Sequence, residues 1–156
     1  MATGEIAHLL SGAIITLAFS HFEHFENRHI PSILVAALTA TGGTWPVFSA
    51  SSALTKFGFQ PSIAAAKPAF PVITVFSARD TTIGLSVLAL YAAKHLEAID
   101  IIWSVVGYIA FMDAWVLSQH GRPGQAMFRF VAVGLSAMIG IVGLTSGVSP
   151  VGLKVL

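Results

Sequence analysis

Five stretches of this chain are each apolar for close to the ~20 residues that a helix needs to cross ~30 Å of hydrocarbon. They lie at 5–22, 30–48, 72–92, 98–118 and 125–145. In lipid every backbone polar group has to be satisfied internally, which leaves helices or a closed barrel, and five such segments do not make a barrel. Composition agrees. Of 156 residues, 55% are hydrophobic and 10% charged, with a mean hydropathy of +0.81, whereas soluble domains carry about 25% charged residues. The expected fold is all-α: a polytopic membrane helix bundle forming a single domain, with five transmembrane helices, a four-helix core plus an N-terminal helix. Met1–Gly4 holds no Lys or Arg, and Glu5 interrupts the first apolar run. A signal peptide wants a positive start, so this stretch is expected to be a retained helix.

Several function classes drop out early. The net charge is +1, with no basic stripe or polybasic run, so no nucleic-acid partner is expected. There is no cysteine, which removes disulfides, thiol nucleophiles and thiolate-bound clusters. No cofactor motif is present. The lysines and arginines divide evenly between the two sides and set no orientation. Pro31 opens the second segment and Trp45-Pro46 closes it. The connection 49–71, with Pro61, Pro68 and Pro71, reads as a long loop suited to cover a site, with a short interfacial helix at 63–67. Ser136 with Gly140, and Gly143 with Gly147, are small-xxx-small pairs that allow close helix approach and leave room for a homo-oligomer.

Charge within the apolar segments carries the functional signal. Arg79 and Asp80 fall in the third segment and Asp113 in the fourth. Each such charge costs roughly 2.5–3.5 kcal/mol at membrane depth, even on lenient scales. Counting crossings from the N-terminus places the loop 49–71 and the turn at 120–124 on one face, here called the near face. At ~1.5 Å of rise per residue, Glu5 and His8 lie at the near end of the first segment and Trp45 at the near end of the second. Arg79 and Asp80 lie about 10 Å below the near end of the third, and Asp113 about 7–8 Å into the fourth. His120 caps that end, and Arg129 lies about 6 Å into the fifth. All five helices therefore place a polar or amphipathic residue in one slab. The far half reads as almost purely aliphatic.

Each candidate has a functional and a bland reading. Two carboxyls in a low-dielectric site do not ionise independently, so Asp80 and Asp113 could hold one proton between them and act as an acid/base pair. Alternatively, each is stitched to a neighbouring arginine. Arg79 points about 100° away from Asp80 and could meet Asp113 on the next helix, orienting it or polarising a substrate oxygen. Arg129 could line the site or snorkel to the interface. Glu5 and His8, about one turn apart, could form an acid/histidine pair. Trp45 and Trp115 share the near slab and could line a pocket, whereas tryptophans, Trp103 included, are most often interface-belt residues. His21, His24 and His29, with Glu23 and Glu26, look like metal ligands, but a solvated loop is the favoured reading and no metal is expected.

From Thr41 onward the order of landmarks is familiar. A Gly-Gly-Thr ends one helix and Phe57-Gly58-Phe59 follows. Then come Ser77-Ala78-Arg79-Asp80-Thr81-Thr82-Ile83-Gly84, Met112-Asp113-Ala114 and Gln119-His120-Gly121. This pattern resembles the small DoxX-like integral-membrane proteins, four-helix proteins with Arg-Asp-x-x-x-Gly in one helix and an Asp followed by His-Gly in the next. The resemblance covers 41–144 and leaves the first segment as an addition. Bacterial relatives often carry a His near the start of the last helix, where this chain has Phe128-Arg129-Phe130, so a role for that His does not transfer. Fungal proteins of this kind resemble the membrane epoxide hydrolases of aurovertin- and citreoviridin-type polyketide biosynthesis.

The resemblance implies a fungal enzyme of secondary metabolism, an epoxide hydrolase or epoxide-opening cyclase in the endoplasmic reticulum membrane. Its substrate would be an apolar, polyene-derived polyketide. Epoxide opening needs a proton donor to the departing oxygen and an acceptor for the incoming water or hydroxyl, and two acids at matching depth supply both. Asp80 and Asp113 are the expected catalytic residues, with Arg79 tuning them. Trp45, His120, Glu5, His8, Trp115 and Arg129 are expected to shape substrate binding. Partners beyond the small apolar substrate are membrane lipids. The rival readings are a membrane terpenoid cyclase and a non-catalytic membrane subunit whose Arg/Asp cluster is structural. A glutathione-using four-helix enzyme matches in size but lacks that family's arginine-rich motif.

Overall fold

The structure, a computed structural model, describes residues 25–150 and residue 152. A 3-10 turn, Asn27–His29, leads into α1 (Ile30–Gly42) and α2 (Trp45–Phe57). Then follow α3 (Pro61–Ala64), α4 (Ala69–Ala92), α5 (Leu96–His120) and α6 (Pro123–Ile141). The described residues form no sheet; one isolated bridge pairs Phe59 with Gly121. Among the described residues, three helices are long and apolar enough to cross a membrane: Ala69–Ala92, Leu96–His120 and Gly124–Ile141. Asn27–Gly42 and Trp45–Phe57, bent by 93° at their junction, make a fourth if taken as one broken span. The outer faces of α4, α5 and α6 carry Val72, Val75, Val105, Tyr108, Phe111, Phe128 and Leu135, all exposed. Apolar surface on that scale is made for lipid, not water. The protein is an all-α, multi-pass membrane bundle. The N-terminal segment with Glu5 and His8 lies outside the described residues.

Two expectations about the second segment and the loop are corrected. The second segment does not run straight to Phe48. It stops at Gly42 after 13 residues, about 20 Å of helix, and the chain turns sharply into α2. The connection 49–71 is mostly helical, because its prolines begin helices instead of ending them. Pro46, Pro61 and Pro71 lie in first turns, and Pro68 is the cap of α4. A missing N–H costs nothing there, since those donors have no intrahelical partner. Ser49, with extended backbone angles, interrupts α2, and Gly58, at φ +115°, ends it.

Close helix approach rests on small residues. A Cβ on Gly84 would fall 2.5 Å from both the Ala36 carbonyl oxygen and the Ala40 nitrogen. One on Gly43 would fall 2.6 Å from the Ser77 oxygen. Ala36, Ala40 and Gly43 of α1 thus nest against Ser77, Thr81 and Gly84 of α4, and the Thr81 hydroxyl donates to the Ala40 carbonyl at 3.3 Å. Gly140 lets α6 press onto Asp100 and Ser104 of α5. Gly143 and Gly147 do not serve helix packing. Their φ values of 67° and 79° place them in the turns after α6.

The two ends of the bundle are tied differently. At the near end the Phe59–Gly121 bridge joins the α2–α3 link to the α5–α6 turn, through Arg122 N to Gly58 O at 3.0 Å and Gln60 N to His120 O at 3.4 Å. Both connections therefore share a face, as counting the crossings requires. The far end is not purely aliphatic, contrary to expectation. His29, Ser32, Asp100 and Thr145 are each no more than 1% exposed there. Asp100 accepts the N–H groups of Thr145 at 3.1 Å and Ser146 at 2.8 Å. Trp103 Nε1 donates to Ser32 Oγ at 2.6 Å, and His29 Nδ1 meets the Tyr91 hydroxyl at 3.2 Å. His29 is thus a buried residue, not part of a solvated loop, and Trp103 is core, not interface belt.

Candidate functional site

A cavity of about 540 Å³ opens among α1, α2, α4, α5 and α6. Its mouth is formed by Trp45 and Lys56, with Lys56 Nζ 4.1 Å above the Trp45 ring. Its waist carries Ser77, Asp80, Asp113 and Arg129, and its floor Val35, Trp103 and Val106. The floor lies about 10–15 Å further along α5 than Asp113, by residue count. The cavity is thus amphipathic along its length, with its acids and Arg129 in the middle and an apolar floor.

Arg129 organises the waist. Its Nη1 lies 3.3 Å from Asp113 Oδ2, with the Asp113 side chain only 8% exposed. Its Nε donates to the Phe57 carbonyl at 3.1 Å, and its guanidinium carbon lies 3.5 Å from the centre of the Phe57 ring. A planar guanidinium can hold a carboxylate, a carbonyl and a ring face at once; an ammonium cannot. Asp80 lines the same cavity from α4. Among the described residues no hydrogen bond or ion pair engages it, although the charges of Asp113 and Arg129 reach it. The site therefore holds one carboxylate that is paired and one that is not. No group of three His, Cys, Asp or Glu side chains able to hold a metal occurs among the described residues.

The family model described as Domain of unknown function (DUF4267) matches residues 36–143. The chain belongs to this family. The matched stretch runs from α1 to just past α6 and contains Asp80, Asp113 and Arg129. No curated protein and no solved structure matches the chain.

Within this DUF4267 chain the spacing Arg79-Asp80-x-x-x-Gly84 gains a physical reason. Asp80 and Gly84 are four apart and share one face of α4. Gly84 brings α1 in close, and α1 lines the same cavity with Val35, Leu38, Thr39 and Gly42. Arg79, one residue back, is exposed on the outer face and takes no part in the cavity. The cation beside Asp113 is Arg129, at 3.3 Å, and not Arg79 as expected. His120-Gly121 also has a packing reason. A Cβ on Gly121 would fall 2.8 Å from the Gly58 oxygen, and the His120 side chain is exposed, away from the cavity. Trp45 lines the mouth, whereas Trp115 is 58% exposed on the outside of α5. Glu5 and His8 lie outside both the described residues and the family match.

Sequence reasoning missed Lys56, Phe57, Ser77 and Trp103. Ser77 was within reach: it stands one turn before Thr81 on the small-residue face of α4 that also holds Gly84. Lys56 and Phe57 were hidden by reading 49–71 as a loop.

Proposed function

We propose that the cavity opens epoxides on an apolar, polyene-derived substrate by carboxylate acid/base catalysis. The observation that carries this is a shared space: Asp80 and Asp113, from neighbouring helices, line one cavity whose other walls are largely apolar. In the reaction water adds across a strained C–O bond. One carboxylic acid gives its proton to the oxygen as that bond breaks, while an ionised carboxylate takes a proton from the attacking water, and a diol results. Asp113, with a guanidinium beside it, is suited to be the ionised acceptor, and Asp80, without one, the donor. A substrate hydroxyl in place of water gives ring closure, so hydrolase and cyclase share this machinery. Burial at membrane depth suits a substrate that partitions into lipid. The resemblance to DoxX-like proteins, a fungal secondary-metabolic setting and residence in the endoplasmic reticulum belong to the same proposal.

One observation favours a rival. The Arg129–Asp113 pair also ties α6 to α5 and, through Phe57, to α2, as a purely structural counter-ion would. The test is turnover of a conjugated polyene epoxide by membranes carrying the full chain, with products identified by mass spectrometry. Diol or cyclic ether from the wild type, and none from a folded Asp80→Asn variant, supports the enzyme. Equal product from both overturns it.

A further inference from the structure

A second cavity of about 440 Å³ adjoins the first, bounded by α2, α3, α4 and α5. The two share three walls: Phe57, Ile73 and Asp113. Asp113 is the single polar side chain among the residues lining the second cavity. Phe57 forms much of the partition and is clamped from several sides. Arg129 lies over its ring at 3.5 Å, Phe59 stacks on it at 5.3 Å and 12°, and Phe76 meets it edge-on at 5.8 Å. The Asp113 carboxylate therefore marks the seam between a mixed cavity and an apolar one.

We infer that this second cavity is a tail chamber, which holds the hydrocarbon arm of the molecule whose reacting ring lies between Asp80 and Asp113. The assignment of the ring rests on the epoxide-opening reading; the assignment of the arm rests on the chamber's own chemistry. Water gains no second polar partner in such a space, whereas a hydrocarbon arm gains affinity with every unit of area it buries. Each cavity falls in the range of about 300–1,000 Å³ usual for a bound small molecule. The cavities meet at Phe57, Ile73 and Asp113, so one long ligand reaching past Asp113 would occupy both, with its reactive bond at the seam. Ile63, Ala69 and Met112 then set the length of arm the site accepts. Val72, a lining residue that is 68% exposed, faces lipid and gives the arm its way in.

The test reads binding, not turnover. The full chain in detergent is titrated with methyl parinarate, a linear conjugated tetraene that fluoresces in apolar surroundings. The bound probe is then displaced by terminal epoxyalkanes of increasing length. Displacement by the wild type is expected to tighten with chain length. Ala69→Trp, which fills the chamber, weakens probe binding about tenfold and flattens that dependence. Met112→Ala, which enlarges the chamber and keeps the test usable if Ala69→Trp does not fold, moves the optimum to longer chains. A length dependence unchanged in the folded variants overturns the inference. Displacement by phosphatidylcholine but by no epoxyalkane also overturns it and assigns the chamber to lipid. A chain that binds long epoxides with the expected length dependence yet never opens them would sink the enzyme reading and leave the tail chamber standing. Turnover indifferent to length would do the reverse.

Discussion

Asp100 and Asp80 are the same residue type on neighbouring helices of one bundle, and their surroundings differ in kind. Asp100 is fully buried at the far end, and its two oxygens take the N–H groups of Thr145 and Ser146. Nothing remains for it to do but hold a turn. Asp80 faces the near cavity with no hydrogen bond or ion pair among the described residues. Asp113 lies between these extremes, with one oxygen on Arg129 at 3.3 Å. An acid within a membrane bundle is thus not a functional mark by itself; what distinguishes the reactive candidate is unused hydrogen-bonding capacity beside an open space.

That contrast can be broken most sharply at Asp80. Asp80→Asn removes the proposed proton donor and is expected to lower epoxide turnover by about 10²–10⁴-fold while leaving thermal unfolding in detergent nearly unchanged. Asp100→Ala is expected to do the opposite. It strands two N–H groups in the protein interior, at about 1–3 kcal/mol each, and a clearly lowered midpoint of helix loss by circular dichroism would register it. Gly84→Val forces α1 off α4 and is expected to cost about 1–3 kcal/mol, read by the same melt, with turnover falling because the cavity wall moves. Trp103→Phe loses the bond to Ser32 Oγ and leaves a void where the larger indole was buried, for about 1–3 kcal/mol. Arg79→Gln comes last. The exposed Arg79 is expected to be replaceable within about 0.5 kcal/mol and without loss of turnover, which would locate the functional half of the Arg-Asp pair in Asp80 alone.

The all-α membrane bundle was legible because hydrophobic run length is a local property, and α4, α5 and α6 match their segments to within a few residues. The common depth of Asp80, Asp113 and Arg129 was legible for the same reason: rise per residue converts position into depth. Which charge meets which was not. Rotation about the helix axis decides partners, and Arg79 and Arg129 look equivalent until packing turns one outward and the other onto Asp113. The bend after Gly42 was hidden as well. Gly-Gly-Thr-Trp-Pro reads as a helix end, and only the contact of Gly43 with α4 shows that the chain folds back as α2 along the cavity. Asp100 lay in plain view within the fourth segment. Its purpose depends on a turn formed by Gly143 and Gly147 some forty residues later, and no local pattern connects the two.

Because the chain contains no cysteine, single cysteines can be placed at will. The most direct measurement is the labelling of Asp80→Cys and Asp113→Cys, each alone in the full chain, by a membrane-impermeant thiol reagent, with Ser32→Cys as the buried far-end reference. On the proposed reading both near-end positions react and both are protected together by a bound long-chain epoxide, while the buried Ser32→Cys stays unlabelled. If one of the two acids' positions reacts and the other does not, or if the epoxide shields only one, they do not share a wetted cavity, and the proposed chemistry fails with them.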